Sequence, residues 1–556
     1  MIQLGISAFY HDSAACIVKD GKVLYAIEEE RFTDIKHDSS FPENAIQYIL
    51  YEANIIDMNQ VDEVCWYENT HLKNNRVIDI FNKRYFKTFW NRIKFIFQAR
   101  KKVNPEHWLR HKWGYNGKIT YIDHHLSHSA FSYLTSPYKD AAILTIDGVG
   151  EWETVTISKG TGNNIDKKLS IDFPHSLGML YSTITAFLGF KPNEGEYKVM
   201  GLAPYGDPKK YYDKLMSIFY PSSNKFWINQ KYFTWEYSDK IMFNIHFCRL
   251  LGLSPRLTEE EITQDHKDLA AACQKVYETI FMKLVYTAKN ITGSKNLVLG
   301  GGCAYNGVAN TRAYKYFDKV YIPYAPSDAG SAIGACLASY KGSRKDNSSP
   351  FLGPKFADYE IDNTTHKYRD KIEVLYFTDK KLTKTVAELL RSGNVIAWCQ
   401  DRMEFGARAL GNRSILASPY FMGMKDKLNK VIKKREGFRP FAPSVLEEDA
   451  QKYFDNIEPI PYMNQVVQVK KLKRPMPAVT HVDNSARVQT VNKKFNLKYY
   501  NLLTEFKALE GAGVLLNTSF NMKGETITCD PDTAVRRFLT SEIDYLVFNN
   551  FLIKKK

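Results

Sequence analysis

The 556-residue chain has 8 cysteines, and none of them stands in a CxxC pair. Neither a disulfide framework nor a cysteine zinc site is therefore expected, and the thiols read as reduced core residues. No stretch of eighteen residues is both apolar and uncharged, so no candidate for a membrane-spanning helix is expected. The opening MIQLGISAFYHDSAA carries His11 and Asp12 where a secretory leader would need an unbroken apolar run, so a cytoplasmic protein is expected. Neither GxxxxGKS/T nor GxGxxG occurs, which leaves ordinary P-loop and Rossmann phosphate sites unsupported. Acids are outnumbered, 61 Asp and Glu against 76 Lys and Arg, for a formal charge of +15. That balance suits anionic partners such as phosphates, nucleic acid or a membrane surface, and charge alone does not choose among them. What is present is globular in proportion, 44% apolar and 25% charged, and the chain is too long for one ordinary core.

The order of apolar runs suggests two α/β domains. AACIVKDGKVLYAIEEE reads as a hairpin turning at Asp20 and Gly21, preceded by a strand, IQLGIS, and a polar loop, AFYHDS. A related plan returns at AAILTIDGVGEWETVTISKG, so a duplicated α/β fold with a nucleotide or metal between its halves is expected. The polar stretch 341–370 is the candidate linker, placing domains at 1–350 and 351–556. The second domain opens with a helical pattern, KKLTKTVAELLRSG, and a strand, NVIAWCQ.

Three histidines fall within five residues in YIDHHLSHSA. On a helix, His124 and His128 share a face with Cβ atoms about 5–6 Å apart, spacing that suits two imidazoles on one metal ion. His125 would point about 100° away. Asp147, in a loop after a strand, and Asp328, where a helix begins, could complete a set suited to iron(II) or another hard or borderline divalent cation. The alternative readings are a turn for Asp147 and a helix cap for Asp328. Gly300, Gly301 and Gly302 end a strand and permit close approach of a ligand, or else form a tight turn.

The motifs GISAFYHDSAACIVKDG, AIEEERFTDIKHD, DHHLSHSA, EYKVMGLAPYG, GGGCAYN and PSDAGSAIGA together resemble the O-carbamoyltransferases that include the nodulation, cephamycin and tobramycin enzymes. The resemblance implies an N-terminal domain of the duplicated actin and sugar-kinase (ASKHA) type, similar to the metalloprotein that makes threonylcarbamoyladenosine in tRNA. It implies that His124, His128, Asp147 and Asp328 are iron ligands, and that Gly300 to Gly302 with Asn306 form an adenylate-binding turn. It places His11 and Lys36 around the acceptor hydroxyl and the carbamoyl group. An imidazole titrating near neutrality can take a proton from an alcohol, and an ammonium can stabilise developing negative charge.

The second half resembles a YrdC domain, which the family is described as using to join carbamoyl phosphate and ATP into carbamoyl adenylate. QDRMEFGARALGNRSILASP and KKREGFRPFAPS set Arg402, Arg408, Arg413, Lys433, Arg435 and Arg439 among glycines and prolines, a pattern that presents guanidinium forks to phosphate. Arg487, Asn517, Ser519 and Asn521 follow. By the resemblance Arg408, Lys433, Arg439, Arg487 and Ser519 serve adenylate formation, with Lys433 and Arg435 as the KxR element and Ser519 and Asn521 as the SxN element. Ala407 stands where the family has proline and Asn484 where it has glycine.

Ile80–Lys102 contains eight Lys or Arg and no acid, and Phe81, Tyr85, Phe89, Ile93 and Phe97 recur every four residues. The expectation is an amphipathic helix with a core-facing stripe and a solvated basic face. A membrane contact or an anionic acceptor site is the alternative. The whole reading is an ATP- and carbamoyl-phosphate-dependent O-carbamoyltransferase acting on a hydroxyl of a small molecule or glycan, with a homodimer allowed and no nucleic-acid partner expected. A tRNA-modifying carbamoyltransferase and a nucleotide-dependent binding module of the actin or Hsp70 type are the rivals.

Overall fold

A computed structural model of the chain describes residues 1–84, 104–236, 238, 241–455 and 457–556. They form two compact units, Met1–Glu29 with His37–Ser348, and Glu30–Lys36 with Ser349–Lys556. Both are mixed α/β. The stretch 341–370, expected as a linker, carries the helix Asp358–His366. It also carries Arg344, whose guanidinium donates to the carbonyls of Tyr133, Leu134, Ser136 and Tyr138. Those carbonyls lie at the C-terminal end of the helix His124–Thr135, where a cation satisfies the last turn and offsets the helix dipole.

In the first unit β1 (Ile2–Ser7), β2 (Ala14–Lys19) and β3 (Lys22–Glu28) form an antiparallel meander. β4 (Glu63–Trp66) and β5 (Lys118–Tyr121) extend it in parallel beyond β1. Asp20 and Gly21 join β2 to β3 with φ of 49° and 76°, the doubly left-handed turn that an Asp-Gly pair favours in hairpins. The plan then repeats. β6 (Asp140–Ile146), β7 (Glu153–Thr161) and β8 (Asn164–Asp172) form a second antiparallel meander. A short hairpin, β9 (Phe219–Pro221) and β10 (Phe226–Ile228), comes next. β11 (Asn296–Gly300) and β12 (Lys319–Tyr321) then continue the second sheet in parallel beyond β6. The two sheets, β3-β2-β1-β4-β5 and β8-β7-β6-β11-β12, share one order and one pattern of strand directions. The duplication expected from the sequence is thus present as topology, in the actin and sugar-kinase manner.

Each repeat places a helix after its last strand, His124–Thr135 after β5 and Asp328–Ser339 after β12. These two helices pack on each other because glycine leaves room at the crossing. A Cβ added at Gly334 would lie 1.9 Å from the Ser127 carbonyl oxygen, and one added at Gly5 of β1 would lie 2.1 Å from the Ala332 carbonyl oxygen. Bare backbone at these two points sets how closely the Asp328–Ser339 helix approaches its partner helix and the first sheet.

The second unit is an eight-stranded mixed sheet, β13-β22-β21-β14-β15-β20-β16-β19, with a separate pair β17–β18. Its strands are β13 (Ile372–Tyr376), β14 (Ile396–Cys399), β15 (Arg413–Ala417), β16 (Ala442–Leu446), β17 (Val466–Gln468), β18 (Ser485–Arg487), β19 (Gln489–Val491), β20 (Val514–Ser519), β21 (Tyr545–Phe548) and β22 (Phe551–Lys555). Alternation along the strands divides the core into two layers. Ala397, Cys399, Ile415 and Leu516 face one cluster with Ala534, Val535 and Phe538 of the helix Pro531–Leu539. Ile396, Trp398, Leu416 and Leu515 face the other, with the helices Asp379–Arg391 and Leu497–Glu510. Burying each such Val, Leu or Ile contributes about 1.5–3 kcal/mol.

Asn484, at the position where glycine was expected, has φ of 61°. A left-handed residue is required there, and asparagine is among the few side chains that tolerate it. Of the basic aromatic stretch 80–102, residues 85–102 lie outside the described residues. Among the described residues no helix is long and apolar enough to cross a membrane.

Gly334→Val tests the helix crossing. The variant should lose about 3 kcal/mol of stability, the upper range for overpacking a tight contact, read as a shifted denaturant midpoint. An unshifted midpoint would show that the crossing does not depend on bare backbone.

Candidate functional site

The helix crossing brings together four side chains from distant parts of the first unit. His124 and His128 lie one turn apart on their helix, Asp147 follows β6, and Asp328 is the first residue of its helix; all are buried. One ligand atom from each lies within 4.8 Å of the other three. His124 Nε2 is 2.9 Å from Asp147 Oδ2 and 3.1 Å from His128 Nε2, which is 3.3 Å from Asp328 Oδ1. The remaining imidazole-to-carboxylate separations are 3.5 and 3.7 Å. Ligand atoms at about 2.0–2.2 Å from one cation stand about 3.0–3.5 Å apart, so these separations fit a shared divalent ion. The sequence alternative for Asp328 fails: the N-cap is Ser327, and among the described residues neither Asp328 oxygen accepts a hydrogen bond. A dry carboxylate without donors is costly unless a cation or proton balances it.

The supporting contacts aim the ligands. Ser331 Oγ lies 2.9 Å from His128 Nδ1, which directs Nε2 into the cluster. Asp147 Oδ1 accepts from the Gly302 N–H at 3.1 Å, leaving Oδ2 for the imidazoles. Glu151 accepts from the His124 backbone N–H at 2.9 Å. Burial would raise the Asp147 pKa, but His124 and His128 hold it well below the usual carboxylate range. Burial would lower that of His128, but Asp147 and Asp328 push it up to about 9. His125 turns away to Thr156 Oγ1 at 3.2 Å, as the helical period required, and burial keeps its pKa well below the ordinary value.

His11 stands beside this cluster, its Nε2 3.8 Å from Asp328 Oδ2 and its Nδ1 3.2 Å from Asp12 Oδ2. Burial acts to lower its pKa, yet Asp328 and Asp12 raise it to about 10 in the chain alone. Asp12 also meets His37 Nδ1 at 2.5 Å, so one carboxylate lies against both rings.

The glycine turn has a structural use. A Cβ on Gly301, whose φ is 83°, would stand 2.2 Å from the Ile146 carbonyl oxygen. The turn therefore runs hard against the end of β6 and delivers the Gly302 donor to Asp147. Asn306 caps the helix Gly307–Arg312 and exchanges two amide hydrogen bonds with Gln274, each 3.0 Å, so its side chain is committed to the fold.

In the second unit the expected cations gather. Burial with Arg408, Arg435 and Arg439 nearby pulls the Arg487 pKa well below its ordinary value. Burial with Arg435, Arg439, Lys36 and Arg537 nearby does the same to Lys433. Groups of like charge gathered in this way depress one another, and such a gathering suits an anion. Lys36, expected beside His11, belongs to the segment Glu30–Lys36 of the second unit, and its charge acts on Lys433. That segment is tied down by Asp34, which accepts from Thr526 and from Arg537, each at 2.8 Å.

Lys433 Nζ donates to the carbonyls of Ser519 and Asn521 at 2.5 and 2.8 Å and to Asn521 Oδ1 at 2.7 Å. All three ammonium protons are thereby engaged in shaping the Ser519–Asn521 turn. Asn517 is 1% exposed, its amide held by Ala409, Ser444 and Gln489. Arg413, read from its glycine setting as a phosphate fork, is fully buried and donates to the carbonyls of Gln400, Asn412, Pro354 and Asp401. A guanidinium saturated by carbonyls braces loops and has no donors left for a ligand. Arg537 and Arg76 were missed: each stands in an ordinary local context, and only long-range packing brings it beside the candidate residues.

Two family profiles match, "Carbamoyltransferase N-terminus" over residues 2–337 and "Carbamoyltransferase C-terminus" over residues 387–555. The first profile falls on the duplicated α/β unit with the buried His2Asp2 cluster, and the second on the cation-rich α/β unit. The chain belongs to the carbamoyltransferase family. It is 41% identical to an uncharacterised protein of Synechocystis, covering 99% of this chain and 96% of the relative. It is 36% identical to the nodulation protein NolNO of Sinorhizobium fredii, covering 99% of this chain and 80% of the relative. A 3'-hydroxymethylcephem-O-carbamoyltransferase of Amycolatopsis lactamdurans is 36% identical over 41% of this chain and 43% of its own length. Among solved structures, the activator of the 2-hydroxyisocaproyl-CoA dehydratase from Clostridium difficile overlaps 61% of this chain and 94% of its own at 13% identity, with a TM-score of 0.32.

Two measurements test the two clusters. Titration calorimetry with ferrous or manganous ion should find one tight site per chain, weakened about a hundredfold or more in His128→Ala; equal affinity in the variant would dismiss the cluster as a cation site. Arg487→Ala should weaken pyrophosphate binding about tenfold, the loss of one charge-assisted contact of about 1.5–3 kcal/mol. Unaltered pyrophosphate affinity would mean that the cations serve the fold alone.

Proposed function

We propose that the chain is an O-carbamoyltransferase that forms carbamoyl adenylate from carbamoyl phosphate and ATP in the second unit, with release of phosphate and of pyrophosphate, and transfers the carbamoyl group in the first unit to a hydroxyl of a small-molecule or glycan acceptor. The observation that carries the reading is the convergence of His124, His128, Asp147 and Asp328 beside His11 in a member of the carbamoyltransferase family. The relative named as an O-carbamoyltransferase supports a hydroxyl acceptor.

In the second unit Arg408, Arg435, Arg439 and Arg487, with Lys36, bind the phosphates, while Lys433 holds the Ser519–Asn521 turn in place. Activation as an adenylate is chemically apt because AMP is a good leaving group. In the first unit the acceptor oxygen forms a bond to the carbamoyl carbon. The bond between that carbon and the phosphate oxygen breaks, AMP departs, and the hydroxyl proton goes to the His11 imidazole. Asp12 beside Nδ1 orients that imidazole, as a carboxylate does for a general base. A divalent cation on His124, His128, Asp147 and Asp328, ferrous iron by its donor set, would supply Lewis-acid charge for the reacting oxygens. That cation would offset the field of Asp328 on His11, while Asp12 stays beside its Nδ1.

His11→Asn should abolish carbamoylation of an acceptor while leaving carbamoyl-phosphate-dependent ATP–pyrophosphate exchange measurable. Loss of both activities in a folded variant would refute the assignment of the two steps to two units.

A further inference from the structure

We infer that His107 and His111, on the outer face of the helical segment 105–112 in the first unit, form a second metal site, open to solvent, that takes a borderline divalent cation such as nickel(II), copper(II) or zinc(II). The inference stands apart from the transfer reading, since it draws on neither the buried cluster nor the second unit.

The segment begins where its sequence dictates. Asn104 Oδ1 accepts from the backbone N–H groups of Glu106 and His107 at 3.0 and 3.4 Å, and Pro105 takes the first helical position, where no N–H is needed. The turn Pro105–His107 runs on into a wider one, Trp108–Lys112, after which the Trp113 N–H reaches back five residues to the Trp108 carbonyl at 3.3 Å. Leu109 is fully buried, and Trp108 stacks on Phe41 with ring centroids 5.0 Å apart. Those two side chains fix the inner face. His107 and His111, four residues apart, share the outer one, and both are exposed.

Their imidazole centroids are 4.8 Å apart, with the rings tilted by 47°. An imidazole nitrogen binds such an ion at about 2.0–2.1 Å, which sets two rings on neighbouring coordination positions with centroids about 4.5–5 Å apart. His124 and His128, at the same spacing in the buried cluster, have centroids 4.6 Å apart. Among the described residues neither the His107 nor the His111 ring makes a hydrogen bond or an ion pair, so their nitrogens are open to a ligand. The neighbouring cations are held elsewhere. Arg110 donates to the carbonyls of Tyr115 and Gly117 at 2.8 and 2.9 Å, and Lys112 pairs with Glu43.

The donor set selects the ion. Two imidazoles with water in the remaining positions favour nickel, copper and zinc over magnesium, calcium or manganese, with copper bound most tightly. The buried cluster adds two carboxylates to its imidazoles and suits iron(II), so the two sites sort ions by donor type. An ion held by both His107 and His111 also ties the first turn of the segment to its last.

Nickel(II) serves as the probe, titrated by calorimetry into the purified full chain and its variants. His107→Gln combined with His111→Gln should remove one bound nickel per chain while leaving the ferrous-ion titration of the buried cluster unaltered, which also reports that the unit is folded. His111→Gln alone should weaken that nickel at least tenfold, since even an outer-sphere partner is worth about 10- to 100-fold in metal affinity. His128→Ala should retain it, and excess magnesium should not displace it. The same nickel count and affinity in the double variant, loss of this nickel in His128→Ala, or its displacement by magnesium would overturn the assignment.

Discussion

Two imidazoles and two carboxylates placed with donor atoms inside 4.8 Å, in a space that water scarcely reaches, create an electrostatic demand that the rest of the first unit answers. Charges in such surroundings interact far more strongly than in water, and a carboxylate without donors is tolerated only if something balances it. The bare-backbone contacts at Gly334 and Gly5 set how closely the two ligand-bearing helices meet. The Gly302 amide, the Ser331 hydroxyl and the Glu151 carboxylate then fix Asp147, His128 and His124 in turn. Arg344 closes the far end of the helix that carries both histidines.

The second unit poses the converse demand. Lys433 is buried, and both it and Arg487 lie among cations that depress their pKa values, a setting that suits an anion. The cations divide into those that hold the site's shape and those that face the ligand. Arg413 is saturated by backbone carbonyls and Lys433 by the Ser519–Asn521 turn. Part of the chain's excess positive charge is thus concentrated in the second unit.

Local features carried their meaning in the sequence. The Asp20-Gly21 turn, the four-residue spacing of His124 and His128 on one helix and the repeated strand-loop-strand plan are each set by a few neighbouring residues, and each is found where its chemistry pointed. Features that depend on a distant partner read differently. Arg413 looked like Arg408 because both sit among glycines, and only the carbonyls around Arg413 tell them apart. Asn306 looked available until Gln274 closed on it. Lys36 lies in the first half of the sequence, but Asp34, through Thr526 and Arg537, ties its segment to the second unit.

By itself, then, the sequence determined which residue types could act and on what local frame: a histidine pair on one helical face, glycine where backbone had to pass closely, and arginines in loops. Only the tertiary structure decided which of them meet. Asp147 and Asp328 approach the histidines because two repeated sheets and a helix crossing bring them there. The physical reason is that local conformation follows from sterics and hydrogen bonds within a few residues, whereas the convergence of charged groups depends on packing between segments far apart in the chain.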